Sequence, residues 1–180
     1  MSAPQEDAAS LAGAPDAFGR LWTPYRMAYI QADKPMDGPC PFCAAPAKTD
    51  ADGLIVHRGE LAFVVMNLYP YSPGHLLVCP YRHVPGYSDL TPAETAEIAA
   101  LTQAAIRTLQ AVSAPAGFNL GLNQGAVAGA GVAGHVHQHV VPRWAGDTNF
   151  LPIVAQTRAI PQLLETARTA LADNWIEVIP

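Results

Sequence analysis

Gly134-His135-Val136-His137-Gln138-His139-Val140-Val141-Pro142-Arg143 is the stretch on which the reading of this chain turns. In an extended strand, successive side chains point to opposite faces, so this spacing predicts a strand over 135–143 with His135, His137 and His139 on one face. Val136, Gln138 and Val140 point the other way. At about 3.3 Å rise per residue the outer two imidazoles stand roughly 13 Å apart, too far to share one metal ion readily. Two of them could ligate a catalytic zinc, but the aspartate looked for beside such a cluster is absent. Divided labour fits the spacing better. Neutral imidazole is nucleophilic near pH 7 and can take a group from phosphorus, splitting one hard displacement into two easier ones.

The Gly/Ala run 125–134 leads directly into this strand. Its backbone N–H groups, with the neighbouring histidines, could receive charge developing on phosphate oxygens, although flexibility alone also explains such a loop. Upstream, 61–66 and 76–79 are short apolar runs joined by Asn67-Leu68-Tyr69-Pro70-Tyr71-Ser72-Pro73-Gly74, a turn, and they read as neighbouring buried strands. Cys79 falls within the second run, as inert core. Thr91-Pro92-Ala93-Glu94 supplies a cap, a proline at the first helical position and a capping-box glutamate, so a helix begins there. Ile98, Leu101, Ala105, Leu109 and Val112 form its apolar stripe until Pro115 and Gly117 stop it. Residues 118–123 read as another strand. A second helical pattern runs over 161–172, with Leu163, Leu164, Ala167, Ala170 and Leu171 near one face.

The fold class expected is α+β: a mainly antiparallel sheet of about five strands with the long helix and a C-terminal helix packed on it. Residues 1–19, rich in Ala, Pro and acidic residues without periodicity, read as a mobile arm, and 20–180 as a single domain. The aromatic segment 21–30 would pack on the domain or on a second copy. With 15 acidic against 10 basic residues, net charge -5, the chain has no broad positive field for gripping DNA or RNA. There is no bilayer-length apolar run and no basic start followed by an apolar stretch, so the location expected is cytoplasmic, with no membrane partner. Three cysteines make no disulfide framework. Cys40-Pro41-Phe42-Cys43 is by itself ambiguous between chance, a redox pair and half of a zinc site. His57 and His83 read as surface histidines.

The sequence resembles the histidine-triad (HIT) family, through His135-Val136-His137-Gln138-His139-Val140-Val141 and the upstream Asn67 and Ser72-Pro73-Gly74-His75-Leu76-Leu77-Val78-Cys79-Pro80. Gln138 is the one polar departure, at a position facing away from the imidazoles. Segments 21–30 and 144–150 are similar to the bacterial diadenosine tetraphosphate phosphorylase branch of that family. The resemblance implies an enzyme that cleaves dinucleoside polyphosphates through a nucleotidyl-histidine intermediate, with phosphate or water as acceptor. Nucleoside phosphoramidate hydrolysis and a catalytically silent nucleotide-binding module are the alternatives.

By position, His137 would be the nucleophile, His139 would bond the phosphate region, and His75 would orient or polarise the nucleophile. Asn67 would bond the ribose, Leu68 and Leu77 would line the nucleobase pocket or the core, Gln124 would lie near the scissile phosphate bridge, and Asn123 and Gly131 would also contact substrate. Where relatives offer a hydroxyl before the triad, this chain has Ala130-Gly131-Val132-Ala133, so leaving-group protonation and phosphate-acceptor binding are assigned to no residue. The resemblance also implies a structural zinc held by Cys40, Cys43, His83 and His135, no organic cofactor, and pairing into a homodimer.

Overall fold

The computed structural model describes residues 39–147 and 162–178, all within one compact unit spanning Lys34–Pro180. The expected arm over 1–19, the aromatic segment 21–30 and residues 148–150 lie outside them. Five strands form one sheet: β1 Ile55–Arg58, β2 Ala62–Met66, β3 Leu76–Pro80, β4 Gly117–Gly121 and β5 Gln138–Arg143. Their spatial order is β1-β2-β3-β5-β4, and every neighbouring pair is antiparallel. A short helix, α1 Pro41–Ala44, precedes the sheet; α2 Pro92–Ser113 and α3 Leu164–Asp173 complete the α+β fold.

The central strands read as continuous apolar runs because both faces of the sheet are covered. Ala62, Val64, Met66, Leu76, Val78 and Val140 face α2 and α3, meeting Ile98, Leu101, Ala105, Leu109, Ala167 and Leu171. Phe63, Val65, Leu77 and Cys79 face the other way, with Ile55 and Ala45, under Phe42, Leu54 and Tyr81. Leu76 pairs with Val140 and Leu77 with His139. Val140 therefore anchors β5 to the helical layer, and His139 projects on the face away from the helices. Val140, which follows His139, is what ties this strand to the core.

The capping box forms as the sequence predicts: Thr91 Oγ1 accepts from the Glu94 N–H, and Glu94 Oε2 accepts from the Thr91 N–H at 2.7 Å. At its other end α2 stops in Ala114, whose φ of 44° is left-handed. Val112, placed on the buried stripe, is 37% exposed in the last turn. α3 starts at Leu164, three residues later than the pattern at 161, and Leu163 is 77% exposed at its N-cap. The turn between β2 and β3 closes at Gly74, where φ is +73° and a Cβ would meet Leu109 Cδ2 at 3.0 Å.

Two strands have bounds other than those the sequence predicts. The ladder of β5 begins at Gln138, so His135 and His137 precede the regular strand that was read over 135–143. Pro80 ends β3, and a proline offers no N–H to extend the ladder. Its carbonyl accepts from His135 Nε2 at 2.9 Å, and the Val136 N–H turns instead to Val84 O at 2.7 Å. The strand read over 118–123 is likewise shorter and earlier, Gly117–Gly121, so Asn123 and Gln124 lie beyond it.

Candidate active site and metal centre

His75, His135, His137 and His139 are all buried, between 0% and 9% exposed, on the face that the helices leave free. Their hydrogen bonds determine which nitrogen of each neutral ring holds its hydrogen. The chain begins at Asn67, whose Oδ1 accepts from the Tyr69 N–H at 3.0 Å, so its Nδ2 faces His75 Nδ1 at 3.3 Å. The Tyr71 N–H also donates to His75 Nδ1, at 3.0 Å. Two donors on Nδ1 leave the hydrogen of His75 on Nε2, which donates to His139 Nδ1 at 2.9 Å. The hydrogen of His139 is thereby placed on Nε2, a buried atom without a hydrogen-bond partner among the described residues. His139 thus presents a spare N–H donor, the group an anionic oxygen needs.

His137 is arranged in the opposite sense. Its Nδ1 lies 2.8 Å from the His135 carbonyl, which can only accept, so Nδ1 carries the hydrogen and Nε2 keeps the lone pair. The ring centroids of His137 and His139 are 5.0 Å apart at 63°. One face therefore holds a nucleophilic nitrogen next to a hydrogen-bond donor. Burial lowers the pKa of His137 despite the opposing carbonyl bond, and so favours the neutral, nucleophilic form. Burial, then the charges of the neighbouring histidines, lowers His75 to about 3 and His139 to about 4.

His75 was expected to act on the nucleophile; its hydrogen bond runs to His139. Tyr71 also covers this pair, its ring 4.7 Å from that of His75 and 5.7 Å from that of His139. Ser72 Oγ donates to Pro142 O at 2.8 Å, fastening the turn that carries Tyr71 and His75 to β5. Of the expected pocket residues, Leu77 is 3% exposed beside His139 on the neighbouring strand, and Leu68, beyond the end of β2, is 58% exposed. Gln124 Oε1 accepts from the Tyr87 N–H at 2.7 Å, and Gly131 is exposed in the loop. Among the described residues no hydrogen bond joins Asn123, Gln124 or Gly131 to the histidines.

Cys40, Cys43, His83 and His135 converge, with one donor atom from each within 4.8 Å of the others. His135 Nδ1 lies 3.5 Å from both sulfurs, and His83 Nδ1 lies 3.2 Å from Cys43 Sγ. Bond lengths of about 2.3 Å to sulfur and 2.0–2.1 Å to nitrogen in a tetrahedron imply S···N separations of about 3.5 Å, so this set could hold a metal ion. His135 is prepared for it: with the Nε2–H on Pro80 O, the Nδ1 lone pair faces the sulfurs. The loop bearing His83 is held by Arg82, whose Nε and Nη2 donate to the two carboxylate oxygens of Glu94, each at 2.6 Å. That pair, with the Thr91 N–H, holds the Glu94 carboxyl down at about 2. Cys43 and His83 are the exposed members, Cys40 is half-buried, and His135 is fully buried. His57, read as a surface residue, is instead half-buried and stacked on Trp175 at 4.6 Å.

Sequence reading missed Phe42. Its ring sits 4.8 Å from that of His137 and 5.5 Å from that of His135. The available signal was an apolar ring enclosed by two metal-type cysteines, where a solvated turn would carry a polar residue. It also missed the backbone N–H of Tyr71 and the carbonyl of His135, which no side-chain pattern reveals.

The HIT domain profile matches residues 48–146, spanning the whole of this constellation except the cysteine turn. The chain belongs to the HIT family. It is 50% identical over 171 residues to the AP-4-A phosphorylase of Mycobacterium tuberculosis, an alignment covering 91% of this chain and 87% of that protein. A bis(5'-nucleosyl)-tetraphosphatase (asymmetrical) of Schizosaccharomyces pombe is 36% identical over 93 residues, 52% of this chain and 50% of its own. Among solved HIT structures, a Zn-bound histidine triad family protein from Mycobacterium smegmatis superposes with a TM-score of 0.61 at 28% identity, covering 75% of this chain and 91% of that one.

Proposed function

We propose that this HIT enzyme transfers a nucleotidyl group from a dinucleoside polyphosphate, with diadenosine tetraphosphate as the first candidate, through a covalent intermediate on His137. The observation that carries the reading is the pairing of a lone-pair nitrogen on His137 with the Nε2–H donor of His139, which has no partner among the described residues. Identity of 50% to an AP-4-A phosphorylase over most of both chains supports the substrate class.

In this reading His137 Nε2 attacks the α-phosphorus, the new P–N bond forms as the P–O bond to the leaving polyphosphate breaks, and ATP departs from diadenosine tetraphosphate. His139 donates to an oxygen of the phosphorus under attack, where negative charge builds. His75, fixed by Asn67 and the Tyr71 N–H, keeps His139 in the donor tautomer. Inorganic phosphate then attacks the nucleotidyl-histidine, releasing ADP and returning the electron pair to Nε2; water in its place would release AMP. Asn67, Leu68 and Leu77 are assigned to the nucleoside, and Asn123, Gln124 and Gly131 to the phosphate chain. No hydroxyl side chain occurs in 125–134 to protonate the leaving group.

The donor set of Cys40, Cys43, His83 and His135 suits zinc, in a structural role because all four positions come from the protein. Zinc there would supply fixed geometry for the His135 backbone, whose carbonyl orients His137. The reading includes a homodimer, and the outer strand β4, with Leu120 half-exposed, offers an edge that is unpaired among the described residues.

Turnover of diadenosine tetraphosphate with and without inorganic phosphate tests the activity. ADP formed only when phosphate is present supports phosphorolysis; AMP formed regardless of phosphate shows water as the acceptor. Nucleotide binding without any turnover would mark the chain as a silent binding module and end the enzymatic reading.

A further inference from the structure

Phe42 touches both halves of the site, and neither the metal set nor the proposed chemistry requires an aromatic ring there. It lies on α1, two residues after Cys40 and one before Cys43. Its ring meets that of His137 at 4.8 Å and 45°, and that of His135 at 5.5 Å and 72°. Beneath, it packs on the apolar cluster that includes Phe63, Leu77 and Cys79, so it has a firm floor. The turn that carries it is four residues long with no side-chain cap, and the sulfurs flanking Phe42 are the atoms that approach His83 and His135.

The remaining constraints on His137 leave a specific gap. The Nδ1–H bond to the His135 carbonyl fixes one ring atom, and the edge contact with His139 limits one side. A ring held at one nitrogen can still tilt about that point, and a tilt carries Nε2, on the far side, away from the line of attack. Displacement at phosphorus needs that lone pair aligned with the breaking bond, and misplacement of about 1 Å can cost on the order of 100-fold in rate. The ring of Phe42, 4.8 Å from that of His137, opposes the tilt.

We infer that Phe42 is a positioning residue for His137, holding the imidazole plane from the turn that also carries two metal ligands. The inference rests on His137 being the nucleophile. Phe42 does not touch the phosphorus or the leaving group in this role; it sets where Nε2 points.

The test compares the metal-loaded full chain with Phe42→Ala, Phe42→Leu and Phe42→Tyr. Four quantities are measured: metal-to-protein ratio by mass spectrometry, kcat and KM on diadenosine tetraphosphate, and the line width of the His137 ring signals by proton–nitrogen correlation NMR. F42A is expected to keep its metal and its KM within about twofold, while kcat falls about tenfold, in keeping with loss of an aromatic contact. Its His137 keeps the Nδ1–H form, held by the His135 carbonyl, but its ring signals broaden as the plane becomes free to tilt. F42Y keeps both kcat and the sharp ring signals. F42L keeps apolar bulk, and it is expected to lower kcat about threefold with detectable broadening. An unchanged kcat and line width in F42A or F42L overturns the inference, as does a kcat loss that vanishes when missing metal is restored. A nucleotidyl label on another residue defeats the nucleophile reading instead, and the ring signals then still report whether Phe42 orders His137.

Discussion

His137 and His139 stand two residues apart with their hydrogens on opposite nitrogens, and the cause is the partner each ring finds. A carbonyl takes the Nδ1 hydrogen of His137; the His75 Nε2–H takes the Nδ1 lone pair of His139. Replacing His139 by Ala removes the spare donor, and kcat is expected to fall at least 10²-fold with KM changed far less. Replacing His75 by Gln leaves His139 in place but frees its tautomer, so a smaller loss is expected; steady-state kinetics on both variants check the order. The same two histidines make stability depend on pH. Their folded values, about 3 for His75 and about 4 for His139, lie below the unfolded value of about 6.5. The unfolded chain therefore binds more protons in between, and the stability present above about pH 6.5 is lost as pH falls toward 4 and 3. Melting temperature should decline over that acid range, and less steeply in H75Q; superimposed slopes would refute burial of neutral His75 as a cause.

The elements are built by local signals of unequal strength. α2 was legible in Thr91-Pro92-Ala93-Glu94 because capping is short-range, and Thr91→Ala is expected to cost about 1 kcal/mol, read as a lowered melting temperature. Its other end was less legible: Ala114 sits at φ 44°, where glycine suits the backbone better, so Ala114→Gly should raise stability by up to about 1 kcal/mol. The strands β2 and β3 announced themselves as apolar runs, each within a residue of its observed bounds, because both of their faces are buried. The start of β5 was not legible from alternation, since what ends the ladder is Pro80 on a different strand and the side chain of His135 reaching back to its carbonyl. The convergence of Cys40, Cys43, His83 and His135 came from family resemblance, because residues 95 positions apart leave no periodic trace. Phe42 left a weaker trace, an apolar ring between two cysteines, which does not tell that its partners are His135 and His137 more than 90 positions away.

Across the molecule the sheet separates two duties. Its helical face carries the core through Val64, Leu76, Val78 and Val140 against α2 and α3, and the opposite face carries the histidines and the cysteine turn. Among the described residues no helix is long and apolar enough to cross a membrane. This division predicts how metal removal should behave. Chelation is expected to lower the melting temperature and to reduce kcat only as far as the His135 segment loosens, with nucleotide affinity largely kept; immediate and complete loss of chemistry in a still-folded chain would instead point to a catalytic metal. The proposed chemistry depends on His137 Nε2 being the atom that bonds to phosphorus. Mass spectrometry of acid-sensitive adducts, on protein quenched during turnover of diadenosine tetraphosphate without phosphate, measures that bond directly. An adenylyl group is predicted on His137 and absent from His137→Ala; an adduct on any other residue, or turnover that persists in the alanine variant, would contradict it.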